Sequence, residues 1–330
     1  MDKKLSTRHI SNMVIVARTI ALISIVSAHI GFTQVAPSWL LEFYRMFGTI
    51  GVVTFFVISG YYYHVDKYGS FFHVVKKKLK TIGVPWLVLG TVGYLCHVIL
   101  SKSISVIEYF NFIFGNGSYL YFMTILFLCF IIFYFCKSKI FCIAAILLNV
   151  LTLELTAAGV LEPVIKALHI TNHLNIFNWI GFFAFGFLCQ NIDTDKLYNV
   201  VIKFRLPSLI IFCLFFVMLF ITKFNIGYFS YIGWIFEIVG TIAIFSISTF
   251  SFLNVKLIRK ISNESFTIYL IQFMVIGLIN DLYNVILPLQ IFANVIVVLV
   301  SFLAVELCMF IAKKIKIDKL ASTVLGVRNI

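Results

Sequence analysis

The sequence predicts an all-α membrane protein, a bundle of about ten transmembrane helices with both termini cytoplasmic. Three observations lead there. Mean hydropathy is +1.05, with 62% of residues hydrophobic and only 12% charged, a composition unlike that of a water-soluble domain. Apolar runs of about 18 or more residues recur along the whole chain, the length a helix needs to cross a bilayer, whereas barrel strands would alternate every second residue. Basic residues crowd into alternate connections between those runs.

The apolar windows lie near 13–32, 47–64, 83–100, 118–136, 140–158, 176–190, 206–222, 229–250, 265–287 and 289–312. With the N-terminus inside, 21 of the 26 basic residues fall in inner segments, Arg45, Lys102, Lys166 and Lys223 in outer ones, and Arg18 within the first span. A missed or extra helix would scramble that split, so it supports both the count and the orientation. The formal charge of +13 is therefore topology rather than a nucleic-acid face, and the expected partner is the lipid bilayer. Residues 1–330 are expected to form a single transmembrane domain, because no loop is long enough to fold by itself. The first run contains Arg and His and no small-residue cleavage site follows it, which argues against a cleavable signal. No internal repeat marks two related halves. The seven cysteines sit in or beside apolar runs without metal-site spacing, so they are read as small buried hydrophobes, with no metal and no disulfide framework.

The first span, Met13 to Phe32, carries Arg18 and His29. Eleven residues at ~100° and ~1.5 Å each leave the two side chains within ~20° of one face and ~16 Å apart along the axis. Burying Arg in a span costs roughly 2.5–3.5 kcal/mol on insertion scales, which suggests a use. For Arg18 the choice is between function and snorkelling to the inner headgroups. For His29 it is between a general base, which neutral imidazole near pH 7 suits, and a buried histidine bonded to a neighbouring helix.

In the second span Gly48, Gly51, Ser59 and Gly60 are small enough for close helix approach, most simply to the first helix, and Ser59 also offers a hydroxyl to a ligand. The run Lys76, Lys77, Lys78 and Lys80 follows, ending at Pro85-Trp86. It is either the inner-side charge signal or a grip for the phosphates of a nucleotide-bearing cosubstrate. Intramembrane carboxylates Glu154 and Glu237, and with less claim Asp281 and Glu306, can orient an imidazole or pair structurally with another helix.

These residues resemble the acyltransferase-3 family of integral membrane acyltransferases, which includes bacterial O-acetyltransferases of surface glycans. The resemblance rests on the Arg18/His29 spacing, on Phe55-Phe56-Val57-Ile58-Ser59-Gly60-Tyr61, and on Lys77-x-x-Lys80 before Pro85, where the family tends to carry R-x-x-R. Tyr119 to Met123 and Ile261 to Leu270 resemble weaker family segments. Two positions depart. Lysine replaces arginine in the loop pair and loses bidentate phosphate contact, and Gln272 stands where many relatives carry histidine.

The resemblance implies a multi-pass protein of the cytoplasmic membrane that moves acetyl from cytoplasmic acetyl-CoA to a hydroxyl of a cell-envelope or exported polysaccharide. It implies His29 and Arg18 as catalytic residues, His29 either as the base that activates the hydroxyl or as a transiently acylated group, and Arg18 either holding a phosphate or polarising a carbonyl. Lys77, Lys78, Lys80 and Ser59 would hold the cosubstrate, with Glu154 and Glu237 behind the imidazole. The outer-loop residues His169, Asn172 and His173 would touch the sugar or simply be loop polarity. A transporter or flippase of a lipid-linked glycan or other anionic solute is the alternative, and the lack of repeats and half-helix signals disfavours it.

Overall fold

The computed structural model describes residues 3–30, 36–65, 69–102, 104–224, 226–283 and 287–327, with side chains except those of 3–8, 100–101, 280–283 and 287–288. The side chains of Lys3, Lys4, Arg8, Lys67, Asp281 and Arg328 thus lie outside the described residues. All regular structure among the described residues is helical. In chain order come α1 (Lys3–His29), α2 (Ser38–Gly48), α3 (Ile50–Tyr61), α4 (Phe71–Lys78), α5 (Val84–Ser101), α6 (Val106–Phe114), α7 (Tyr121–Phe135) and α8 (Lys139–Ala157). They are followed by α9 (Glu162–Ala167), α10 (Ile180–Cys189), α11 (Thr194–Ile221), α12 (Gly233–Ile247), α13 (Lys256–Tyr283), α14 (Leu287–Ile291), α15 (Ala293–Lys314) and α16 (Asp318–Leu325).

Among the described residues, seven helical stretches are long and apolar enough to cross a membrane: His9–His29, Ser38–Tyr61, Phe71–Ile99, Lys139–Ala157, Thr194–Ile221, Lys256–Ile279 and Ala293–Lys314. Tyr121–Phe135, Ile180–Cys189 and Gly233–Ile247 are shorter apolar helices. The chain is an all-helical, multi-pass membrane protein. Several helices begin well before their apolar windows, α11 at Thr194 and α13 at Lys256, so basic residues such as Lys196, Lys203 and Lys260 ride on helical turns. Hydropathy finds the apolar part of a helix and misses a polar extension. The second stretch likewise starts at Ser38, because Glu42 and Arg45 interrupt the apolar run and pair with each other one turn apart.

Helix starts are set locally. Ser105, Ser138 and Asp193 accept backbone N–H bonds from the first turns of α6, α8 and α11, satisfying donors that a helix start leaves orphaned. Helix α1 packs against α2, α3, α13 and α15, while α10 packs against α3 and α8. A large aromatic-rich core joins α1, α3, α7, α10, α13 and α15, and a second core forms where α1 meets α3, α11 and α12. Gly48 and Gly51 do face α1, where a Cβ on Gly51 would lie 2.3 Å from the Ala21 carbonyl oxygen. Gly60 instead faces α10. Helix α11 lies at the periphery, with 6% of its apolar window buried, so its flank faces lipid. The cysteines are all free, but burial is only partly as expected: Cys129 and Cys142 are buried, whereas Cys213 and Cys308 are exposed on the flanks of α11 and α15.

Candidate active site

A cavity of about 520 Å³ lies between α1, α3, α4, α7, α13 and α16, within the roughly 300–1,000 Å³ range of small-molecule sites. Arg18, Ser59, Lys77, Lys78 and Lys80 all line it. The structure therefore gathers around one space the cation of the first span, the small hydroxyl of the second and the basic run between the second and third. Arg18 is half-buried and turned to this cavity.

Local geometry explains the gathering. Arg18 and Ile25 are two helical turns apart on α1, and Phe55 and Ser59 are one turn apart on α3, so each pair presents one face. Between α4 and α5 the chain makes a π-helical turn, Leu79–Gly83. Pro85 has no N–H for the carbonyl four residues back, and the wider i→i+5 register accommodates that loss. The widened turn also lets Lys80, Thr81 and Ile82 line the same cavity as Lys77 and Lys78. Thr81 donates its hydroxyl to the Lys77 carbonyl at 2.9 Å. Lys78 is half-buried with its ammonium 3.7 Å from the Phe130 ring centroid, a cation–π seat, whereas Lys77 and Lys80 are exposed.

The far wall is aromatic. Phe122 and Tyr269 line the cavity and meet edge to face with centroids 5.5 Å apart. Tyr269 donates to the Tyr119 carbonyl, and Tyr119 donates to the Leu270 carbonyl at 2.7 Å, which clamps the turn just before α7 to α13. Tyr119 stacks on Phe273 at 4.2 Å. His29 lies beyond this layer at the end of α1, its ring 4.6 Å from Phe273 and 6.4 Å from Tyr119. The imidazole is half-buried and does not line the cavity.

On the His29 side a second cluster forms around His173. Its ring lies 4.7 Å from Tyr121 and 4.9 Å from Phe229, and its carbonyl accepts from Trp179 Nε1 at 2.9 Å. Burial pushes the His173 imidazole down to about 4, so it is neutral at pH 7. His173 is close enough to His29 for a charge on one to be felt at the other. Glu237 lies beside Tyr121 and Tyr228, its carboxyl oxygens buried without a hydrogen-bond partner among the described residues, and Tyr228 donates its hydroxyl to the Gly48 carbonyl at 3.0 Å. Glu154 accepts from Trp234 Nε1, and Glu306 pairs with Lys260 at 3.0 Å. The carboxylates thus have their own neighbours: Glu154 an indole, Glu237 two phenols, Glu306 an ammonium.

Sequence reasoning missed Tyr62, Asn263, Tyr269, Ser322 and Thr323, which line the cavity beside the predicted residues. Asn263 and Tyr269 fall inside the Ile261 to Leu270 segment already singled out, a signal that was available; Ser322 and Thr323 follow the last apolar run and carry none. Among the described residues no group of three His, Cys, Asp or Glu side chains is placed to hold a metal.

Compared with known proteins, the chain matches the family model described as Acyltransferase domain over residues 14–312. No curated protein and no solved structure matches it.

Proposed function

The chain belongs to the acyltransferase-3 family, whose model spans nearly its whole length, and from that premise we propose that it transfers acetyl from cytoplasmic acetyl-CoA to a hydroxyl of a cell-envelope or exported polysaccharide. The observation that carries this reading is the cavity where Arg18, Lys77, Lys78 and Lys80 converge against apolar walls. Four cations beside one space suit the phosphates of a nucleotide carrier, and the carrier would supply an acetyl thioester when bound. Lys77 and Lys80 sit where an anion entering from water is met first, Lys78 is held in place by Phe130, and Arg18 is deepest along α1. Ser59 adds a hydroxyl to the wall.

His29 is the base. It lies roughly 16 Å along α1 from Arg18, on the same stripe, and removes the proton of the acceptor hydroxyl as the new ester C–O bond forms and the thioester C–S bond breaks. The proton passes to the departing sulfur, so the imidazole returns to its neutral form. Glu237 and Glu154 support the outer aromatic cluster behind it, with His169, Asn172 and His173 on the sugar side.

In this reading the seven long and three shorter apolar helices make ten crossings of the cytoplasmic membrane, in a single domain with both termini in the cytoplasm. The cavity then opens on the side that holds acetyl-CoA. The test is thiol release from acetyl-CoA by the purified protein, with and without polysaccharide acceptors. Acceptor-dependent release is expected. A transporter or flippase of an anionic glycan would release none.

A further inference from the structure

Most residues that line the cavity are buried or half-buried, but among the described ones Tyr62, Lys77, Lys80, Thr81 and Asn263 are exposed and mark its mouth. Every charged lining residue is a cation. The Thr81 hydroxyl is turned to the Lys77 carbonyl. The mouth therefore sets two ammonium groups beside an aromatic ring and a side-chain amide, and phosphate chemistry accounts only for the ammonium groups.

Tyr62 is carried on fixed backbone. Gly60, two residues earlier, packs against α10, and the Tyr62 N–H donates to the Ile58 carbonyl at 3.1 Å, closing α3. Its ring is 42% exposed and stands edge to face with Tyr61, centroids 5.2 Å apart and planes at 83°. One such neighbour braces the ring and covers at most one of its faces. Arg18 is close enough for its charge to be felt at the Tyr62 phenol, so ring and cation serve the same part of the cavity. An aromatic face stacks on a nucleobase, and beside cations that track phosphates it makes a nucleotide-binding surface.

Asn263 comes from the other side, on the first turns of α13, two residues before Ser265 in the same wall. A side-chain amide presents a donor and an acceptor side by side. Adenine offers the complement, an N7 acceptor next to an amino donor, whereas guanine offers two acceptors along that edge.

We propose that Tyr62 and Asn263 form a purine subsite at the cavity mouth, Tyr62 stacking on the adenine of the acetyl carrier and Asn263 pairing with its edge, while Lys77 and Lys80 take the phosphates. This rests on the donor-site reading above. The subsite makes the protein choose a carrier that bears a whole nucleotide over a shorter phosphorylated thioester.

The test uses full-length protein in detergent, with acetyl-CoA compared with acetyl-phosphopantetheine, which keeps a phosphate and lacks the nucleotide. The parent should favour acetyl-CoA at least tenfold in kcat/KM. Tyr62→Ala should shrink that preference about tenfold and Tyr62→Phe, which keeps the ring, should restore it. Inhibition by the adenosine bisphosphate fragment of coenzyme A and by its guanosine counterpart reads the edge contact: the parent should prefer the adenosine compound, and Asn263→Leu should cut that preference about tenfold. If Tyr62→Ala leaves the donor preference unchanged, or parent and Asn263→Leu show the same preference between the two inhibitors, the subsite is overturned. The donor site still stands in that case if Lys77→Ala with Lys80→Ala raises KM for acetyl-CoA. If the parent releases no thiol from acetyl-CoA, both fall.

Discussion

Gly60 of α3 and Gly186 of α10 meet backbone to backbone. A Cβ on Gly60 would lie 2.1 Å from the Phe183 carbonyl oxygen, and one on Gly186 would lie 2.0 Å from that of Val57. Gln190 closes the same contact by donating to the Tyr63 carbonyl at 3.0 Å. Close helix approach of this kind is how membrane helices gain packing without a hydrophobic driving force. Gly60→Val or Gly186→Val should each destabilise the protein by about 1–3 kcal/mol or more through overpacking. Thermal unfolding in detergent reads this as a lowered midpoint, and Ser59, next to Gly60, should lose its place in the cavity wall.

His29→Ala should lower kcat by about 10²–10⁴, the usual worth of a positioned general base, with membrane insertion intact because alanine is at home in a span. Turnover of acetyl-CoA with acceptor measures it. Near-parental kcat would remove His29 from the chemistry and leave it as packing against Phe273.

The lysines should separate into two kinds. Lys77→Ala with Lys80→Ala should raise KM for acetyl-CoA about tenfold, and the loss should shrink at high salt, because these side chains are exposed and screened. Lys78→Ala removes a cation held over Phe130, so it should also lower thermal stability, by about 0.5–2 kcal/mol. Lys77→Arg with Lys80→Arg should bind the donor at least as tightly as the parent, since guanidinium contacts phosphate bidentately. An unchanged KM in the double alanine variant would return the run to a topology signal.

His173 gives the fold a pH dependence of definite sign. Its imidazole titrates at about 4 in the folded protein against 6.5 for an unperturbed histidine. As pH falls below 6.5 the unfolded chain takes up the proton first, so stability decreases down to about 4 and this contribution changes no further once both states are protonated. His173→Phe, which can keep the ring contacts with Tyr121 and Phe229, should flatten the decline in unfolding midpoint between pH 7 and pH 5. An equal decline in parent and variant would assign it to other groups.

What was legible in the sequence depended on range. The Arg18 to His29 stripe is a property of one helix, and charge in a span announces itself, so both residues could be found from residue type and spacing alone. The basic run was visible for the same reason. The partner of Gly60 was not, because small residues announce a close approach without naming the helix that makes it, and α10 lies more than a hundred residues away. Helix α2 was hidden by Glu42 and Arg45, whose mutual pairing makes their polarity tolerable. Ser322 and Thr323 were invisible because a hydroxyl in a short polar segment resembles any loop until the fold returns it to a cavity.

The aromatic layer of Phe122, Tyr269, Tyr119 and Phe273 has a consequence for the cell as a whole. A bundle with a cation-lined cavity entering from one face and a half-exposed imidazole near the other is most of the way to being a pore. The stacked rings lie between the two, and an apolar layer there would oppose the passage of ions in a membrane that must hold its gradients, while the acyl arm of a bound carrier would have to part it to reach His29. Thinning that layer, as in Phe273→Ala, should make vesicles containing the protein leak protons under an imposed voltage even where they still transfer acyl groups.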